Sequence, residues 1–421
     1  MSFSAQILHQ IQTFAAERGL LAGICPPERL IYTEAALTRR QAPFTAADAA
    51  LRVDPLRTMP QARSVIVLGM GYARQTSAAP IGADDTLRGQ ISMGACGRDY
   101  HVTLRETLEA LMHTLYELYP PLAYQIYADT GPLAERELAV RAGLGFVGRH
   151  GSVISRGLGS LFFIGYALTN MPLWEDMPEG RIAIPASYDF CDPSPQVNRL
   201  VLKPAFDGFL SKFFVRQGNA AAAYSKIICK AALTKHGEKF RQKDGGMRLQ
   251  DSSNATASRY ALPEPGAGCG SCERCLQACP TGALGREGTF HTEKCISYLT
   301  QKKGALTPLE MDSMGRQIYG CDLCQTTCPY NQGIQAEAVT DMNALQPDLD
   351  WFLHLTKARF QKEYGHTAAA WRGFTVLKRN AVIALGNTGD ARALPLLKEQ
   401  SGSEKESIRQ AAAYGILKLT R

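Results

Sequence analysis

The chain has 421 residues, 45% hydrophobic and 20% charged, with a formal net charge of +7, an ordinary balance for a globular protein of about two to four domains. No run of about 18 or more uncharged apolar residues occurs, which excludes a membrane-spanning helix. Met1 to Leu20 mixes Gln, His, Glu and Arg with apolar residues instead of placing an apolar core after a basic start, so no secretory signal is read and a cytoplasmic location is expected.

Residues 1–175 read as one layered α/β domain, because strands alternate with helices. Ser4 to Arg18 has helical spacing through Ile7, Ile11, Phe14 and Ala15. Ser64 to Gly71 is a short apolar strand. Val102 to Leu118 places Leu104, Leu108, Leu111, Leu115 and Leu118 on one helical face. Tyr124 to Tyr127 is strand-like and runs into Asp129, and Leu161 to Leu168 is a further apolar strand. Residues 176–265 form a basic insertion or linker: 13 Lys/Arg stand against 6 Asp/Glu between Arg181 and Tyr260, a charge excess suited to an anionic partner. Two amphipathic helices are expected within it, one around Phe209 and one around Ile227. Residues 266–333 hold eight of the twelve cysteines and form a ferredoxin-like domain. Residues 334–421 read as helical. Asn380 to Leu397 gives a helix, a Gly-Asn-Thr-Gly-Asp turn and a second helix, and Glu404 to Leu419 starts the pattern again, a HEAT-like repeat. The fold class expected is therefore a multidomain α+β/α protein.

The cysteines carry the chemistry. The first run is Cys269-x2-Cys272-x2-Cys275-x3-Cys279-Pro280, and the second is Cys321-x2-Cys324-x3-Cys328-Pro329 with Cys295 upstream. Thiolates are soft ligands suited to iron–sulfur clusters. In the bacterial two-cluster arrangement the fourth cysteine of each run ligates the other cluster. That rule assigns Cys269, Cys272, Cys275 and Cys328 to one [4Fe–4S] cluster. It assigns Cys321, Cys324, Cys279 and Cys295 to the other, with Cys295 replacing a first cysteine whose place is held by Ile318. Zinc is the competing reading for a lone C-x2-C pair, but two C-x3-C-P endings between Cys269 and Cys328 argue for clusters.

Two strings upstream stand out: Gly97-Arg98-Asp99-Tyr100-His101 before a helix, and Asp129 to His150 (DTGPLAERELAVRAGLGFVGRH) followed by Gly159 to Phe163. Asp129 follows a strand and precedes Pro132, a loop position that can face a pocket. Two readings stand for it: a carboxyl held protonated by burial and acting as general acid, or a helix N-cap. For Arg136 and Arg141 the plain alternative is an exposed helix face or a salt bridge. For Tyr100 and His101 it is core packing, and for Cys96 it is a small buried thiol.

In order and combination these strings, the eight cysteines and the terminal Arg379-Asn380-Ala381 to Asn387 string resemble the cobalamin-dependent epoxyqueuosine reductase family, which completes queuosine in tRNA. The resemblance covers most of the chain. It implies a cobalamin bound base-off in the N-terminal domain, electrons passed from the two clusters, and a proton donated to the departing epoxide oxygen by Asp129. It further implies that Gly97, Asp99, Tyr100, His101, Arg136, Arg141, Ser160 and Phe162 contribute to the cofactor site. The implied partners are the anticodon loop of tRNA and an external electron donor, with no membrane and a monomeric chain. Ser92 to Cys96 departs from the Arg or aromatic residues that the family often places there, and most of 180–262 reads as an insertion. The other readings are a related corrinoid reductase acting on a small molecule, a two-cluster electron carrier, and a tRNA- or corrinoid-binding protein without turnover. The HEAT-like tail and the basic insertion are the expected RNA surfaces.

Overall fold

Strand β2 (Ser64–Gly71) is apolar throughout because it is covered on both faces. Val65, Ile66, Val67 and Leu68 are all fully buried. Alternate residues serve two cores, as the two-residue period of a strand requires. Ile66 and Leu68 meet Ile7 and Ile11 of helix α1 (Phe3–Glu17) and Leu108, Leu111 and Leu115 of helix α2 (Tyr100–Leu118). Val65 and Val67 meet Leu138 and Ala139 of helix α3 (Glu135–Arg141). Each fully buried aliphatic side chain contributes about 1.5–3 kcal/mol.

This is a computed structural model. It describes residues 3–37, 49–76, 87–173 and 266–421, apart from 287, 335 and 340, all within one compact unit. The basic insertion and its two expected helices lie outside the described residues.

The main sheet has the order β1 (Leu21–Cys25), β2, β4 (Phe162–Thr169), β3 (Tyr124–Ala128). Every pairing in it is antiparallel, with Val67 opposite Tyr166 and Tyr166 opposite Tyr127. The layers expected from alternating strands and helices are present, but the strands are not joined by parallel crossovers. Strand β1 carries no periodic pattern long enough to be read from the sequence.

A second core joins the cysteine region to the C-terminal helices α4 (Phe374–Gly386), α5 (Leu394–Gln400) and α6 (Glu406–Leu419). Leu299, Met314 and Ile318 pack with Leu377, Ala381 and Leu385, and Ile91 and Ala95 enter the same core. Residues Gln90–Ile91 pair in parallel with Gln317–Tyr319, so a segment near the GRDYH string is built into the C-terminal half. The Arg-Asn-Ala string is a buried clamp. Arg379 donates to the carbonyls of Lys302 (2.9 Å) and Gly304 (2.6 Å) and to Asn380 Oδ1, while Asn380 Nδ2 donates to Thr300 O (2.7 Å) and Ile318 O (2.8 Å). Asn387, in the expected turn, donates to Met311 O and Gly315 O, both at 2.8 Å.

Candidate active site

Asp129 directly follows strand β3 and is the one non-glycine among the described residues with a positive φ, 57°. A left-handed conformation is tolerated by Asp better than by most residues but still needs support. Glu135, at the start of α3, accepts the Asp129 backbone N–H. The helix N-cap is Ala134, so Asp129 is not a cap and its side chain is free for another purpose.

That side chain meets the start of α2. Asp99 caps α2 by accepting the His101 backbone N–H (3.0 Å), and the same oxygen lies 2.7 Å from His101 Nδ1. Orienting the ring this way leaves His101 Nε2 at 3.3 Å from Asp129 Oδ2, and the Tyr100 hydroxyl donates to that oxygen at 2.5 Å. An imidazole with a carboxylate at each nitrogen is stabilised as the imidazolium, whose two N–H groups both find acceptors. Burial works against the charge on His101, but the hydrogen bonds to Asp129 and Asp99 outweigh it and raise its pKa. Asp129 is correspondingly held below the ordinary carboxylate value, first by His101, against the effect of burial, and further by Tyr100 and the charge of Arg136.

This corrects one expectation. The Asp129 carboxyl is not held protonated by a dry pocket. Its side chain is 57% exposed, and the shared hydrogen bond favours the carboxylate on Asp129 and the imidazolium on His101. The protonated carboxyl at this site is Glu135, which burial and the neighbouring Asp129 charge push up to about 8. Glu135 Oε1 is buried without a hydrogen-bond partner.

Four rings form a wall beside these groups. Tyr72 lies 4.3 Å from Phe163, Phe163 stacks on Tyr100 at 3.7 Å and 5°, and Tyr100 stacks on His101 at 4.0 Å. A cavity of about 180 Å³ opens against the wall, lined by Met70, Tyr72, Met93, Gly94, Gly97 and Phe163 among others. A Cβ on Gly94 would stand 3.0 Å from Phe163 Cζ, so glycine there permits close approach. Flat aromatic and glycine surfaces suit the edge of a planar ring. The volume of about 180 Å³ falls below the roughly 300–1,000 Å³ of whole-ligand pockets, so the described cavity is too small to enclose a whole corrin.

Of the residues named from the sequence, Gly97 and Tyr100 line the cavity, and Asp99, His101 and Asp129 form the carboxylate–imidazole chain. Arg136 is exposed and donates to Gly151 O at 2.7 Å. Three others are not brought to the cavity. Arg141 is 3% exposed and engaged with Glu137 (2.7 Å) and the carbonyls of Glu28 and Arg29, which is the salt-bridge alternative. Phe162 faces the core with Val65 and Leu138, and the alternation of β4 turns its neighbour Phe163 to the site. Ser160 is buried against the cysteine region: its N–H donates to Asn331 Oδ1 (2.6 Å) and its carbonyl accepts from Gln325 Nε2 (2.7 Å). Cys96 is half-buried, not buried, and its thiol donates to Met93 O at 3.2 Å. Tyr72, Glu135 and Phe163 were not singled out. Glu135 and Phe163 lay inside the quoted strings, while Tyr72, one residue past β2, carried no distinguishing pattern.

Most of the thiols sort into two groups by mutual electrostatic influence: Cys328 feels Cys269, Cys275 and Cys272, while Cys321 feels Cys295 and Cys279. Cys324 feels Cys321 and Cys295 but also Cys275 of the first run, and so stands between the two groups. Cys269 also packs with Cys328 against Phe146 and Ile154. Burial pushes the Cys321 thiol up to about 12 and that of Cys328 to about 11, so metal insertion has to displace protons. Among the described residues no three His, Cys, Asp or Glu side chains are gathered tightly enough to hold a single metal ion. Gln325, next to Cys324, accepts from the Tyr72 hydroxyl at 3.1 Å and so joins this region to the aromatic wall.

Two cysteine groups beside a proton-holding site define an iron–sulfur oxidoreductase. Residues 268–331 match the family model of a 4Fe-4S double cluster binding domain, so the protein carries two iron–sulfur clusters. Residues 52–130 match the model described as epoxyqueuosine reductase QueG, DUF1730. The epoxyqueuosine reductase of Staphylococcus aureus (strain NCTC 8325 / PS 47) is 29% identical over 374 residues, covering 88% of this chain and 76% of the relative. That of Bacillus subtilis (strain 168) is 28% identical over 381 residues, covering 89% and 76%. Among solved structures, an epoxyqueuosine reductase with a tRNA-Tyr epoxyqueuosine-modified tRNA stem loop matches with TM-score 0.72 and 25% identity, over 99% of this chain and 91% of that one. One from Streptococcus thermophilus matches with TM-score 0.71 and 26% identity, over 99% and 90%. The chain belongs to the epoxyqueuosine reductase family. No helix among the described residues is long and apolar enough to cross a membrane.

Proposed function

We propose that this protein reduces the epoxide of epoxyqueuosine in tRNA to give queuosine, in the cytoplasm, with a cobalamin in its N-terminal domain 1–175. The observation that carries the reading is that Gln325 and Asn331, inside and just after the second cysteine run, hydrogen-bond to Tyr72 of the aromatic wall and to Ser160 just before β4. The cysteine region is thereby joined, through Gln325, Tyr72 and Phe163, to the ring of Tyr100 that holds Asp129. Cys269, Cys272, Cys275 and Cys328 would hold one [4Fe–4S] cluster and Cys279, Cys295, Cys321 and Cys324 the other, a partition supported by the influence of the first run on Cys328 and of Cys295 and Cys279 on Cys321. Bound there, the clusters supply single electrons and the cobalamin supplies the strong reductant that carbon–oxygen cleavage needs, chemistry that no side chain provides.

The overall change is an epoxide plus two electrons and two protons giving an alkene and water. The protein's own part is the protons and the geometry. His101 holds a proton at Nε2, oriented by Asp99. Asp129 Oδ2, 3.3 Å away, takes that proton and carries it to the departing oxygen, while Tyr100 fixes the carboxylate. The exposed position of Asp129 at a strand end lets a substrate reach it. The helical tail 334–421, HEAT-like in its helix pairs, supplies the RNA-facing surface together with the basic insertion, and an external donor reloads the clusters.

The test is anaerobic turnover. Protein with about eight irons per chain, loaded with cobalamin and given a low-potential reductant, should convert epoxyqueuosine-containing tRNA to queuosine-containing tRNA. Failure to convert with both cofactors bound sinks the assignment, and zinc in place of iron and sulfide sinks it earlier.

A further inference from the structure

Trp371 is 58% exposed. Single exposed apolar side chains are ordinary on protein surfaces, but this one is fixed in place. The Arg372 guanidinium covers its ring at 4.0 Å from the centroid. Its indole N–H donates to Gln301 Oε1 at 3.2 Å, and it hydrogen-bonds with the side chain of Tyr319. The following Gly373, at φ 83°, turns the chain sharply into α4, which leaves Trp371 outside the helix and presented to solvent.

Its position is the second observation. Tyr319 experiences the charges of both Asp129 and Asp99. The Asp99 backbone N–H donates to His366 O at 2.8 Å, and Arg98 bridges to Thr367. The segment carrying Trp371 therefore abuts the GRDYH segment, on the rim of the site that holds Asp129.

We propose that Trp371, backed by Arg372, is a stacking platform for a nucleobase of the substrate's RNA loop adjacent to the nucleoside that enters the Asp129 site. This rests on the reading under Proposed function. Every base has a π face, and aromatic rings and guanidinium planes are the surfaces on which splayed loop bases stack. A rigid indole costs little entropy to order on binding. Holding the flanking base fixes where the reacting nucleoside lies relative to Asp129.

The experiment measures binding of a fluorescein-labelled tRNA-Tyr anticodon stem–loop to the full chain with its clusters in place, by anisotropy. Trp371→Ala should raise Kd by about 5- to 150-fold, and Trp371→Phe should recover most of it. The slope of log Kd against log salt should stay unchanged in both, because stacking releases no counterions. An abasic nucleotide flanking the modified position should weaken binding to the unsubstituted protein but add nothing to the Trp371→Ala loss. If Trp371→Ala binds as tightly as the unsubstituted protein, the platform is wrong while the substrate reading stands. If Kd rises but the salt slope falls with it, the contact is to phosphate and the proposal is overturned. If the unsubstituted protein does not bind the stem–loop, both fall.

Discussion

The electron-holding and proton-holding regions are built on opposite principles. The eight thiols come from two short runs and one upstream cysteine, on short helical turns such as Arg274–Ala278 and Leu323–Thr326. Burial first, and Asp322 and the neighbouring thiols after it, raise the pKa of Cys321. The proton region takes single residues from three places: Asp99 to His101 at the start of α2, Asp129 just after β3, and Glu135 at the start of α3. Here specific hydrogen bonds move His101 and Asp129 against burial and in opposite directions, while burial governs Glu135. A soft cluster needs desolvated ligands; a proton shuttle needs partnered, reachable ones.

Substitutions can break that contrast, and the largest effect belongs to the cysteines. Cys324→Ser should drop iron from about eight to about four per chain and abolish turnover, read by iron and sulfide analysis alongside the tRNA assay. Full iron in this variant would undo the ligand grouping. Asp129→Asn should keep both clusters yet lower the turnover rate by about 10²–10⁴-fold. A variant with native rate would remove Asp129 from proton delivery.

Next in size is the pH profile. His101 must carry the proton, so activity should fall as pH rises through its raised pKa, and fall again as pH drops through the lowered pKa of Asp129. The stability signs agree. The His101 contribution is complete below the unfolded imidazole value and lost as pH rises through the folded one, whereas that of Asp129 is present above the ordinary carboxylate value and lost as pH falls through its folded one. His101→Gln should remove the alkaline limb; an unchanged limb assigns it elsewhere. Asn380→Ala, far from the protons, should cost about 1–3 kcal/mol by stranding the carbonyls of Thr300 and Ile318, measured as a shift in the denaturation midpoint.

Glu135→Gln should have the smallest effect. Its folded pKa of about 8 exceeds the ordinary 4.5, so the folded state retains a proton that the unfolded chain has released. Stability from this group therefore declines as pH rises between those values. The amide should flatten that decline, seen by comparing midpoints at about pH 6 and about pH 9. An equal decline in both proteins would place the titration on another group.

The same contrast explains what could be read from the sequence. Cluster ligands must converge within a few residues, so spacing exposes them, and the two-cluster domain matched over residues 268–331 spans all eight cysteines. Long periodic elements were equally legible, and β2 runs from Ser64 to Gly71 as expected. The proton region was legible only as strings. Their order pointed to Asp99, Tyr100, His101 and Asp129, yet nothing in one dimension distinguishes Phe162 from Phe163, which differ by one step of strand alternation. Arg141 looked like a site residue because a buried ion pair and a ligand contact leave the same letter in the same helix. The charge state of Asp129 depends on an imidazole 28 residues away in the chain, and only the fold brings it within 3.3 Å.

One small contact has a wider consequence. Asn331 sits three residues after Cys328, seated so closely over Gly159 that a methyl group there would lie 1.9 Å from its side-chain oxygen, and it also grips Ser160 Oγ at 2.9 Å and Gln325 O at 2.6 Å. Damage that unravels the last cysteine loop thus reaches the entrance of β4 and, through Phe163, the ring beneath Tyr100. Oxidative injury at the metal end should therefore disturb the acid end with it.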